Sequence, residues 1–70
     1  YIIYADTETY FNDENKHIPY IINFTTEDND NIFSIDINNC IKWGFYKLNK
    51  YLYDKFNDKI NDYEFILLYI

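Results

Sequence analysis

The sequence predicts a single α/β domain built as a three-stranded antiparallel meander, a crossover helix and a fourth strand parallel to one of the first three. Three observations carry that prediction. The first half holds three short runs of β-branched and aromatic residues separated by polar turns, the apolar spacing changes to steps of three and four after Asn38, and an apolar run closes the chain. Seventy residues leave no room for a second domain.

Tyr1-Ile2-Ile3-Tyr4-Ala5-Asp6 has β-forming composition and no breaker, so the first strand is expected to run to about Thr9. Residues 11–16 are polar and turn-forming, and Pro19 forces His17-Ile18 into extended geometry. Tyr20 to Thr25 reads as the second strand, 27–31 as a polar turn, and Ile32 to Ile35 as the third strand. Ile41, Phe45, Leu48, Leu52 and Phe56 then mark the apolar stripe of an amphipathic helix, with Asn38 or Asn39 as its cap. After an exit loop at 57–62, Tyr63 to Ile70 forms a strand apolar enough to be central. A strand reached through a crossover helix lies parallel to another strand of its sheet. Four strands and one helix leave one sheet face bare.

With 6 Lys plus Arg against 12 Asp plus Glu, the formal charge is −6, whose sign excludes a basic surface that coats DNA. A single cysteine, Cys40, makes an intrachain disulfide or a zinc ribbon impossible. No apolar run approaches the roughly 20 residues of a membrane span, and no secretory leader opens the chain, so a soluble, non-secreted protein is expected. Both ends fall inside apolar stretches and read as cut.

Chemistry concentrates in Asp6-Thr7-Glu8. Alternation along a strand puts Asp6 and Glu8 on one face, where two carboxylates offer the hard oxygen donors that Mg²⁺ or Mn²⁺ prefers and that a two-metal phosphodiester hydrolase requires. Asp6 is expected at the strand end, in surroundings where burial must be offset by a metal or another partner. The same triplet also fits the start of a solvated turn.

Tyr4-Ala5-Asp6-Thr7-Glu8-Thr9, followed by Lys16-His17-Ile18-Pro19-Tyr20-Ile21-Ile22, resembles the start of the 3′–5′ exonuclease domain of family B DNA polymerases of the protein-primed organellar and viral type. The resemblance covers about the first 25 residues by motif, and beyond them only the strand, helix, strand pattern. It implies a ribonuclease-H-like fold, with residues 1–70 forming part of a proofreading exonuclease domain. It implies that Asp6 and Glu8 are catalytic metal ligands for two Mg²⁺ or Mn²⁺ ions, and that Thr9 contacts the single-stranded 3′ end of DNA. Deoxynucleotides and a terminal protein primer follow as partners of the whole polymerase, and a mitochondrial plasmid, organellar or viral setting as its location. The family is usually aromatic at the position held here by Thr7. Its remaining carboxylates lie in later motifs, beginning with an Asn-x-x-x-Phe-Asp type segment, so residues 1–70 alone are expected to be inactive.

Two rivals stand beside this reading: a ribonuclease-H-like nuclease unattached to a polymerase, and a non-catalytic acidic module that binds protein through its bare aromatic face. Asp28-Asn29-Asp30 starts like a calcium loop but lacks the required glycine at Phe33, and reads as a solvated turn. His17 has no second histidine and reads as a surface or hydrogen-bonding residue. Cys40 reads as a buried or idle thiol, Asn23-Phe24-Thr25 as a chance sequon, and Trp43, Tyr46, Tyr51 and Tyr53 as packing aromatics.

Overall fold

The computed structural model describes residues 1–70 as β1 (Ile2–Phe11), β2 (His17–Thr26), β3 (Asn31–Ile35), α1 (Cys40–Phe56), a 3₁₀ turn (Asn57–Asp62) and β4 (Ile66–Tyr69). The sheet order is β3-β2-β1-β4. β1, β2 and β3 form the expected antiparallel meander, and β4 returns through α1 to lie parallel to β1, Ile2 opposite Ile66 and Ala5 opposite Tyr69.

The hairpin of β1 and β2 is longer than the sequence predicts. β1 runs on to Phe11, and β2 begins at His17 rather than Tyr20. Pro19 is accommodated because the register shifts beside it: Glu8 faces Ile21 while Thr9 faces Pro19, so Tyr20 is an extra residue on β2. Such a bulge interrupts the ladder where proline has no N–H to give. β4 differs in position. It pairs with β1 alone and forms an edge, with β1 and β2 central, so Ile66, Leu68 and Tyr69 are exposed rather than enclosed.

The chain has one glycine, so the left-handed turn positions fall to asparagine: Asn15 (φ 58°), Asn29 (φ 66°) and Asn57 (φ 54°). In the first turn Asn12 Oδ1 also accepts from the backbone N–H groups of Glu14 and Lys16, at 2.9 and 3.0 Å. Asn39 holds the N-cap position of α1 without a side-chain capping bond. Asp36 instead closes the turn that leads into the helix, its Oδ1 accepting from the N–H groups of Asn38 and Asn39 at 2.8 and 3.0 Å.

α1 lies over β2 and β3. Ile3, Ala5, Ile22, Phe24, Leu48 and Leu52 make the core. The buried line of the helix is Cys40, Gly44, Leu48 and Leu52, whereas Ile41, expected at the head of the stripe, is exposed. Gly44 redirects the stripe. A Cβ at that position would overlap the Cγ2 methyl of Ile22 and stand 3.4 Å from the Phe24 ring, so the absence of a side chain lets helix and sheet approach. Trp43, Tyr46 and Tyr53, expected to pack, are exposed on the far side of the helix, and only Tyr51 is half-buried. No helix is long and apolar enough to cross a membrane.

Candidate functional site

β1 sends alternate side chains to opposite faces of the sheet. Ile3 and Ala5 are buried beneath α1, and Thr7, half-buried opposite Ile22, continues that row. Tyr4, Asp6, Glu8 and Tyr10 make the other row, on the bare face, and all four are exposed. Asp6 therefore lies in mid-strand and in solvent, neither in a turn nor buried at a strand end as the sequence predicts, because the hairpin extends five residues beyond it. The predicted same-face pairing of Asp6 and Glu8 holds, with their Cα atoms roughly 6.5 Å apart by strand rise.

One feature distinguishes this pair from the other acidic residues. Asp6 and Glu8 are the only two of the twelve that lie inside a strand. Carboxylates are disfavoured in strands, and two on one face repel each other, so strand formation supplies no reason for them. Neither takes part in a side-chain hydrogen bond or ion pair, which is also true of Asp13, Glu27, Asp54, Asp58, Asp62 and Glu64. The pair also lies on the sheet face that α1 does not cover.

Across the strand from Asp6 stands Asn23, whose Nδ2 donates to Thr25 Oγ1 at 3.2 Å and to Asn31 Oδ1 at 3.4 Å. Thr25 Oγ1 donates to the same Asn31 oxygen at 3.0 Å. The chain of bonds fixes a polar strip beside the acid pair. As a donor set, Asp6 and Glu8 suit a hard divalent cation. No third His, Cys, Asp or Glu joins them to make a group that could hold a metal ion.

Thr9 is not brought to the pair. By alternation it occupies the opposite face, where its Oγ1 shares a hydrogen bond of 3.2 Å with His17 Nδ1 and the His17 ring meets Phe11 at 4.1 Å between centroids. Tyr10, next on the row after Glu8, and Tyr20, the bulge residue, approach each other to 6.1 Å between ring centroids. Extending the i, i+2 series from Asp6 and Glu8 finds Tyr10, whereas the outward turn of Tyr20 depends on the bulge.

The second acid pair is occupied. Lys55 Nζ lies 2.9 Å from Asp28 Oδ2 and 3.8 Å from Asp30 Oδ2, Tyr1 Oη donates to Asp28 at 2.8 Å, and Tyr51 Oη donates to Asp30. Hydrogen bonds from Lys55 and Tyr1 hold the Asp28 carboxyl below the usual carboxylate range, and Asp28 with Tyr51 holds the Lys55 ammonium above its ordinary value. Burial pushes the Tyr1 phenol up to about 12. With a lysine seated on it, this turn offers no cation site. Cys40 is buried at the start of α1, and burial pushes its thiol up, away from nucleophilic use.

The chain matches no protein-family model, no curated protein and no solved structure.

Proposed function

We propose that residues 1–70 belong to a metal-dependent 3′–5′ exonuclease domain of the kind that proofreads in protein-primed family B DNA polymerases, with Asp6 and Glu8 as its first two metal ligands. The observation that carries this reading is the exposed carboxylate pair on the bare face of β1, formed by the two acidic residues that lie inside a strand. The meander, crossover helix and parallel fourth strand are the elements that a ribonuclease-H-like fold requires.

In this reading Asp6 and Glu8 supply carboxylate oxygens from one rigid strand, so their spacing is set by backbone geometry rather than by loop motion. When bound, a pair of Mg²⁺ or Mn²⁺ ions supplies activation of a water and stabilisation of the leaving 3′ oxygen. The remaining ligands would come from outside residues 1–70, as would the basic track for DNA that a chain of net charge −6 does not provide. Thr9, held by His17 on the other face, would reach a 3′ end only by rotating away from that bond.

Paramagnetic Mn²⁺ added to the ¹⁵N-labelled chain tests the metal ligands. Selective broadening of amides around Asp6 and Glu8, abolished in Asp6→Asn/Glu8→Gln, is expected, with the Asp28 turn as internal control. Broadening spread evenly over the acidic residues overturns the reading. For the polymerase assignment, the coding region beyond Ile70 should contain an in-frame Asn-x-x-x-Phe-Asp segment.

A further inference from the structure

Past Glu8, the row on the bare face of β1 continues to Tyr10. β2 bulges at this level, so Tyr20, adjacent to the Glu8 partner Ile21, turns beside Tyr10 with ring centroids 6.1 Å apart and planes inclined by 58°. The two rings and Ile37 border an open cleft of about 420 Å³. Tyr10 is 39% exposed, although a tyrosine on a strand reduces its cost by packing flat, and neither phenol is used in a hydrogen bond. Bulges of this kind re-aim side chains next to functional sites.

We infer that Tyr10 and Tyr20 form a stacking platform for the base of a single-stranded nucleotide whose phosphate lies over Asp6 and Glu8. The spacing fits: Glu8 to Tyr10 is roughly 6.5 Å by strand rise, about one nucleotide step along a single strand. The ligand class follows from the chemistry. An exposed aromatic pair beside a carboxylate pair suits a molecule with a flat π face and an anionic group that a divalent cation can bridge to the carboxylates, and base stacking on aromatics tolerates any sequence. No lysine lies on the row, so the phosphate is held only through the cation and binding depends on it. The inference rests on the metal-ligand reading above for the phosphate end, while the platform itself rests on the bulge and the cleft.

Titrating the full chain with the oligonucleotide trithymidylate in Mg²⁺, and again in EDTA, tests it through the ring-proton resonances of Tyr10 and Tyr20. Both tyrosines are expected to shift upfield, with affinity falling about tenfold in EDTA. Tyr10→Ala should weaken binding about tenfold and Tyr10→Phe should restore it, since the ring and not the hydroxyl carries the stacking. Ring resonances that stay fixed at millimolar oligonucleotide, or a Phe variant as weak as the Ala variant, overturn the platform. The two readings fail separately. Mn²⁺ broadening at Asp6 and Glu8 with fixed tyrosine resonances removes the platform and leaves the metal ligands, whereas tyrosine shifts equal in Mg²⁺ and EDTA, with no Mn²⁺ broadening, keep the stacking surface and remove the nuclease reading.

Discussion

Ala5 and Asp6 are consecutive on β1, yet Ala5 is fully buried under α1 while Asp6 is exposed on the bare face. Every residue of the covered row has a structural reason to be there. Ile3 and Ala5 belong to the same buried cluster as Leu48 and Leu52, so core packing accounts for them. The bare row has no such reason: Tyr4, Asp6, Glu8 and Tyr10 gain little from folding, and the two carboxylates oppose it. Composition that folding explains says little about function, so the unexplained row is where a ligand should be sought.

The comparison breaks if the two rows respond alike to substitution. The largest effect is expected for Ala5→Asp, which buries an unpaired carboxylate and should cost on the order of 3–5 kcal/mol, close to the roughly 4–10 kcal/mol available to a chain of this size. Urea denaturation or loss of dispersed NMR signals would register this as unfolding. Gly44→Ala comes next. The helix gains about 1 kcal/mol of propensity, but the new methyl meets the stiff, fully buried Ile22 side chain, and overpacking of about 1–3 kcal/mol leaves a net loss. A gain in stability would show that the helix can lift without penalty, and Gly44 would lose its place as the residue that sets the helix–sheet distance.

Asp6→Ala, in the bare row, should change stability by less than about 0.5 kcal/mol, in the stabilising direction, because it removes a like-charge neighbour of Glu8. A loss of more than about 1 kcal/mol would mean that Asp6 has a structural partner after all, and the contrast between the rows would collapse. Retained stability together with lost Mn²⁺ broadening would sharpen it.

How much of this was legible follows the same division. Alternation alone put Asp6 and Glu8 on one face, and the spacing of Leu48 and Leu52 marked the helix. Gly44 was not legible as a contact, because apolar patterns register side chains and this contact depends on lacking one, so the stripe was traced through the exposed Ile41 instead. The bulge at Tyr20 was equally hidden. Pro19 signalled extended backbone, but the one-residue register shift depends on pairing with β1, a long-range fact. The edge position of β4 was missed because an apolar run reads the same whether or not a second neighbour covers it.

Two of the three Asp-x-acid triplets offer the mildest test. Asp6-Thr7-Glu8 has no cationic partner, whereas Asp28-Asn29-Asp30 has Lys55 between its carboxylates. Because the folded Asp28 carboxyl titrates below its unfolded value, its contribution to stability is fully present above the unfolded carboxylate range and is lost as pH falls through the lower folded value. Lys55 is shifted upward, so its contribution is complete below its unfolded value and disappears only as pH rises through the higher folded one. Thermal stability attributable to this cluster should therefore stay level from about pH 5 to pH 9 and fall on the acid side. Asp28→Asn should flatten that acid limb, measured as Tm against pH. If Asp28→Asn left the acid limb as steep as before, Lys55 would not be held by this turn, and the contrast between the two triplets would lose its ground.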